Sequence, residues 1–465
     1  MEAMFMFLAQ LFVLLKRMAK KSAAWLQGKT ARDAQLVLII LFLALLLRIP
    51  FLSHPGQTLF DEVIYTNFAI YTEHGVPFFD IHPPLARMIF ASLSNNEQYF
   101  TTELPMRIFE PFRDFPYETL RMFIAVLGSL LPLLLYAIAR LLGYTPRQAA
   151  LPALFVVFDN AFVLYSRTIL PDTMLLFANM LAFASALAAI KSTERRERTL
   201  LLTLSGLALG AGLSIKWTAL GVWALVSLLF AVSRRPKYIF ATGMIGVAVY
   251  ALVFTSYFTW FPEGGTVNPQ FQPSSVSWLN ELSYPKGGDL PAVISFVPQF
   301  NAAMLRANRD PGFVDTLLDA PPPASWPLAK TAIIFWGDGE RTITLRGNEL
   351  LWFSSFLLLL FEIGWILWHI AREKKWPIDR METILLSGYA LNYLPFFLID
   401  RPMYLYHYFT ALLFLFLLIP RIAPRAINCI AALANDRPLA QTMAAFVLVL
   451  IVVNFFLLAP VTYGI

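Results

Sequence analysis

Phe60-Asp61-Glu62, followed by Asp80-Ile81-His82-Pro83-Pro84, sets three acids and a histidine in a stretch flanked by apolar sequence. A carboxylate can take the proton of a hydroxyl as that hydroxyl attacks, so Asp61 is the expected centre of the chemistry. Other ionisable groups stand at the edges of apolar runs: Arg121, Arg167, Asp172, Lys216 and His407, the last near Arg401, Tyr404 and Tyr406. Cations fixed in a water-poor setting stabilise negative charge growing on a leaving group. A base and a set of cations are the two halves that transfer from an anionic carrier requires.

The elements that position these groups are membrane helices. Of 465 residues, 58% are hydrophobic and 14% charged, with a mean hydropathy of +0.62. A soluble domain of that composition would turn too much apolar surface to water. Runs long enough to cross the bilayer as helices lie at 34–52, 120–142, 148–165, 172–190, 200–214, 217–232, 238–260, 349–370, 382–399, 404–420 and 441–460. The expected fold is therefore an all-α polytopic membrane protein with about eleven spans. The breaks at Pro171 and near Lys216 read either as span ends or as kinks within longer helices.

Lys and Arg fill every second connection: Lys16 to Arg32, Arg140 and Arg147, Lys191 to Arg198, Arg234 to Lys237, Arg372 to Arg380, and Arg421 to Arg437. Positive charge marks the cytoplasmic side. The opposite face then receives the first loop (53–119), the Arg167 turn, Lys216, the second loop (261–348) and the Asp400–His407 segment. The ionisable candidates converge on one face. The polar cluster within an apolar chain also makes intramembrane or juxtamembrane function its default reading.

The expected organisation is a cytoplasmic N-terminal segment (1–33), spans one to seven with the first loop (34–260), the second loop (261–348) and the last four spans (349–465). Met1–Leu15 carries its positive cluster after the apolar run, the reverse of a signal peptide, and is expected to lie along the interface. Cys429 is the only cysteine, which excludes an intrachain disulfide, and it is expected to be buried. No repeat and no glycine-rich nucleotide fingerprint is present. Neither a nucleotide-sugar site nor a nucleic-acid partner is expected.

The stretch FDEVIYTNFAIYTEHGVPFFDIHPPLARMIF resembles the first luminal loop of the protein O-mannosyltransferases, in which a DE pair precedes a D-x-H-P-P-L stretch. The resemblance continues collinearly through PYETLRMFIAVLGSLLPLLLY, FDNAFVLYSRTILPDTMLLF, GLSIKWTALGV, ITLRGNELLWFSS and RPMYLYHYFTALLFLFLL, from about residue 48 to 420. It implies the GT-C glycosyltransferase fold. There are also departures. Residues 261–348 are too few for the β-trefoil MIR domain of eukaryotic members, the family's G-N-P turn reads Gly347-Asn348-Glu349, and its H-P-Y segment has no clear counterpart around Arg309-Asp310-Pro311-Gly312.

The resemblance implies transfer of mannose, with inversion, from a polyprenyl monophosphate carrier to Ser or Thr hydroxyls of exported polypeptides. Asp61 is then the base, against a competing role as a helix N-cap. Glu62 orients the acceptor amide or a sugar hydroxyl, or else only complements a helix dipole. His82, steered by the two prolines after it, meets donor or phosphate. Arg121 and Lys216 are the expected phosphate partners, against snorkelling to the headgroups. Arg167 and Asp172 bind donor or pair with each other, and His407 joins the donor site or an aromatic belt. No cofactor is expected, although Asp61, Glu62 and His82 leave a divalent cation open. Other readings are a carrier-dependent transferase acting on a lipid or polysaccharide, and a lipid-linked sugar transporter, which would show midplane polar residues and repeated halves. A prokaryotic plasma membrane is the expected location, with the site on the extracytoplasmic side.

Overall fold

The computed structural model describes residues 31–94, 106–267, 277–310, 320–329, 332–399 and 402–465. The interfacial helix expected over Met1–Leu15 and the residue Arg401 lie outside them. Fifteen α-helices are described: α1 (Ala31–Arg48), α2 (Glu62–Glu73), α3 (Leu85–Ser94), α4 (Tyr117–Leu141), α5 (Pro146–Val157), α6 (Asn160–Tyr165), α7 (Asp172–Lys191), α8 (Arg195–Ile215), α9 (Leu220–Val232), α10 (Pro236–Phe258), α11 (Leu290–Ala307), α12 (Glu349–Glu373), α13 (Arg380–Leu391), α14 (Phe409–Ala434) and α15 (Arg437–Tyr463). Among the described residues, seven helices are long and apolar enough to cross a membrane.

Local sequence explains where these helices start and stop. Thr145 caps α5 by accepting from the Gln148 backbone while Gln148 returns the bond, with Pro146 at the first helical position, where the missing N–H costs nothing. The expected span at 148–165 is two helices: α5 ends at Val157 and Asp159 caps α6 by accepting from Ala161 and Phe162. Lys216, at φ −149° and ψ 141°, is extended, so the chain breaks there between α8 and the short 3-10 turn Trp217–Ala219 that opens α9. Cys429 is exposed rather than buried. It sits near the C-terminal end of α14, beyond the apolar stretch that the sequence marks as a span.

Helices α8 and α10 approach closely because Gly206 and Gly210 are stacked one turn apart. A Cβ on Gly210 would stand 2.6 Å from the Gly246 carbonyl, and one on Gly206 2.8 Å from Ile245 Cβ. Small residues at this spacing let two backbones pack in a membrane. At the end of the bundle away from the long loops, Asp33 Oδ1 accepts from Tyr136 Oη at 2.5 Å and Arg140 Nε at 2.9 Å, tying α1 to α4.

The opposite end carries both long loops. The first supplies α2 and α3. The second supplies strands β1 (Gly265–Thr266) and β2 (Ser283–Tyr284), paired antiparallel, the amphipathic helix α11, and the antiparallel hairpin β3 (Ile333–Gly337) and β4 (Thr342–Leu345), with an irregularity between Ile334 and Trp336. Arg87 of α3 ties the first loop to the end of α10: it lies 4.5 Å above the Tyr257 ring and donates to Asp80 Oδ2 at 2.6 Å.

Candidate active site

Asp61 is mounted between the loops. The Phe60 N–H donates to the Phe335 carbonyl of β3 at 2.9 Å, and the two rings stack at 4.9 Å. Phe60 has φ +23°, a conformation uncommon outside glycine, and it turns the chain into α2. Asp61 occupies the N-cap position of α2, yet its side chain makes no capping bond. The carboxylate is left for other work. Burial pushes its pKa up to about 7, against the pull of Lys216 and with a further upward push from Asp172.

Glu62 sets the height and direction of that mount. Its Oε1 accepts from Arg121 Nε at 2.9 Å and the Ile169 N–H at 2.9 Å, and its Oε2 from Arg121 Nη2 at 2.7 Å and the Leu59 N–H at 3.1 Å. Arg121 also donates to the carbonyls of Leu52, Pro55 and Gln57 at 2.9, 2.8 and 3.2 Å. All five N–H groups of a guanidinium are thereby used. Arg121, expected to meet a phosphate, here donates to protein acceptors, and Glu62, expected to meet an acceptor or sugar, here accepts from Arg121 and backbone amides. Both hold the chain on either side of Asp61.

Arg167 is likewise engaged elsewhere. It donates to the carbonyls of Arg48, Pro50 and Phe51 at 2.7, 2.6 and 2.9 Å and lies 4.7 Å above the Tyr463 ring, so it satisfies the exposed carbonyls at the end of α1. The Arg167–Asp172 pair does not form. Asp172 instead accepts from Lys216 Nζ at 2.8 Å, both side chains being more than nine-tenths buried. The extended backbone at Lys216 points the ammonium into the protein, where it also stands 4.8 Å from the centre of the Tyr406 ring.

Lys216 and Asp172 line a cavity of about 670 Å³ that includes His82, Tyr406, His407, Asn308, Arg309 and Asp310. His82 is placed by Asp80, whose Oδ1 accepts the His82 backbone N–H at 3.0 Å, and Asp80 is itself held by Arg87. His407 Nδ1 lies 3.0 Å from the Tyr404 carbonyl. A carbonyl only accepts, so Nδ1 carries the proton and Nε2 is the variable nitrogen. The His407 ring stacks between Tyr406 at 4.7 Å and Trp326 at 6.2 Å. The other half of the cavity is apolar, with Leu220, Leu398 and Ile399 exposed at its edge.

Of the sequence candidates, the structure brings together Lys216, Asp172, His82 and His407, with Asp61 in electrostatic reach of the first two. The sequence reading missed Asn308, Arg309 and Asp310 as lining, and treated Tyr406 only as belt. In the sequence, Arg309 and Asp310 stand out only as a place where the family's H-P-Y segment has no clear counterpart. Among the described residues no group of three His, Cys, Asp or Glu is gathered closely enough to hold a metal ion.

Comparison with known proteins places this geometry. Residues 38–260 match the family described as dolichyl-phosphate-mannose-protein mannosyltransferase, and residues 297–465 match the C-terminal four-span region of protein-O-mannosyltransferase. Dolichyl-phosphate-mannose–protein mannosyltransferase 1 of Saccharomyces cerevisiae is 29% identical over 283 residues, 55% of this chain and 34% of that one. Mannosyltransferase 4 of Schizosaccharomyces pombe is 36% identical over 146 residues, 31% of this chain and 19% of its own. The chain thus spans about a third or less of these relatives' length. In fold it is similar to the S. cerevisiae Pmt1–Pmt2 complex bound to the sugar donor, with a TM-score of 0.76 at 18% identity over 94% of this chain and 91% of that chain. It is also similar to an Archaeoglobus fulgidus oligosaccharyltransferase, with a TM-score of 0.55 at 14% identity over 94% and 57%. With two matched regions that together cover most of its length, and the GT-C architecture, the chain belongs to the protein O-mannosyltransferase family.

Proposed function

We propose that this chain transfers mannose, with inversion, from a polyprenyl monophosphate carrier to Ser or Thr hydroxyls of polypeptides, on the extracytoplasmic face of a prokaryotic plasma membrane. The observation that carries the reading is an uncommitted carboxylate, Asp61, with its pKa raised to about 7, set near the Lys216–Asp172 pair of a cavity that is polar at one end and apolar at the other. The polar end suits a sugar phosphate. The apolar edge at Leu220, Leu398 and Ile399 suits the isoprenoid.

In this reading the acceptor oxygen attacks the anomeric carbon while Asp61 takes its proton. The bond from that carbon to the phosphate oxygen breaks with its electron pair on the phosphate, leaving the carrier phosphate and an O-mannosylated residue. A base whose pKa lies near the working pH suits this task. Lys216 lies at the polar end to meet the phosphate, Asp172 and Tyr406 hold Lys216 in place, and His82 and His407 face the sugar. No cofactor enters the scheme.

Incubation with labelled polyprenyl-phosphate-mannose and Ser- or Thr-containing peptides tests it. Asp61→Asn is expected to insert in the membrane and melt normally but to transfer no mannose. Wild-type turnover by that variant would sink the assignment, and label recovered in lipid rather than peptide would redirect the acceptor class.

A further inference from the structure

The leaving phosphate ends the reaction with more negative charge than it began with. The donor's phosphodiester carries one charge, and the carrier monophosphate takes on most of a second near neutral pH. Lys216 does not meet that need alone, because Asp172 lies 2.8 Å from it in a nearly dry setting and the pair is neutral. The cavity also receives the C-terminal end of α11, whose outward carbonyls repel an anion. A cation with donors to spare at that end would offset this repulsion.

Arg309 stands there. Helix α11 ends at Ala307, with Asn308 as its cap, and Arg309 continues the turn, its N–H donating to the Arg306 carbonyl at 3.0 Å. Its neighbours are committed: Asn308 Nδ2 donates to the Ile81 and Met304 carbonyls at 3.2 and 2.9 Å, Arg306 lies 4.5 Å above the Trp278 ring, and Asp310 Oδ2 accepts from Trp278 Nε1 at 3.4 Å. The Arg309 side chain is exposed, lines the cavity, and enters no hydrogen bond or ion pair among the described residues. A guanidinium fork matches two phosphate oxygens at once.

We propose that Arg309 binds the carrier phosphate, and binds the released monophosphate more tightly than the mannosylated donor. The inference rests on the mannosyl-transfer reading. It makes Arg309 a specificity residue for the monophosphate carrier, in the same cavity as the buried Lys216–Asp172 pair.

The test measures binding of polyprenyl phosphate and of polyprenyl-phosphate-mannose to the full chain in nanodiscs, together with transfer kinetics, for wild type, Arg309→Gln and Arg309→Lys. Arg309→Gln is expected to weaken polyprenyl phosphate about tenfold or more, as loss of a charged hydrogen-bond pair does, to weaken the donor less, and to raise the donor KM more than it lowers kcat. Arg309→Lys should recover part of the affinity. Equal affinity of Arg309→Gln and wild type for polyprenyl phosphate overturns the proposal. Wild-type binding of polyprenyl phosphate without mannose transfer would instead sink the transfer reading and leave the phosphate site standing, whereas no binding by wild type sinks both.

Discussion

Neighbouring acids with opposite duties make Glu62 the sharpest test of the site. Glu62→Gln keeps the side-chain shape but removes the charge that Arg121 faces and puts an NH2 where only acceptors fit, since all four contacts to the carboxylate are donors. The two side chains are 0% and 1% exposed. Breaking such a buried pair from one side costs about 3–5 kcal/mol, because the remaining charge stays uncompensated. At about 2.1 cal/mol/K per residue, a chain of 465 residues loses roughly 1 °C of melting temperature per kcal/mol, so Glu62→Gln should melt about 3–5 °C lower if it unfolds as one unit. The assay is detergent-solubilised protein heated and scored for remaining folded fraction, with transfer measured on the unheated sample. Asp61→Asn, one residue away, should show the reverse: transfer lost and melting unchanged. A Glu62→Gln variant that melts like wild type and has lost transfer would refute the positioning role and return Glu62 to direct chemistry.

Transfer should fall as pH drops below about 7, approaching tenfold per unit, because protonation removes the base form of Asp61; a rate flat from pH 5 to 8 speaks against Asp61. Lys216→Met strands the buried Asp172 and is expected to destabilise by about 3–5 kcal/mol, while adding Asp172→Asn restores melting without restoring donor affinity; recovery of both would make the pair purely structural. Asn348→Ala removes the cap of α12 and the bonds from Nδ2 to the Phe158 and Ile451 carbonyls, a loss of about 2–3 kcal/mol visible in melting but not in turnover per folded molecule.

Much of the helical scaffold was legible because membrane physics writes it in one dimension: apolar length marks most of the helices, although seven rather than eleven are long and apolar enough to cross a membrane among the described residues. The duties of individual charges were less legible. Arg121 and Arg167 look like free cations in sequence because their partners are mainly backbone carbonyls of the segment 48–57, to which no side-chain pattern points. The Lys216–Asp172 pair joins residues 44 positions apart, across α7 and α8, and only the packing of those helices reveals it. Asp61 takes the N-cap position of α2, the competing reading, but its side chain leaves the α2 amides alone. That residues 308–310 line the cavity was not legible for another reason: α11 folds back over the first loop, where Asn308 meets the Ile81 carbonyl.

The clamp between Glu62 and Arg121 has a mechanical meaning as well. Arg121 belongs to α4, and its guanidinium grips the chain just past α1 as well as the residue beside Asp61. The carboxylate thus hangs from the tips of two helices, steadied from the loops by contacts that include Phe60–Phe335. Helices answer a change in bilayer thickness by tilting, and a tilt of α4 against α1 moves their tips relative to each other. A change in the depth of the surrounding membrane is therefore expected to move the Asp61 carboxylate relative to the loops.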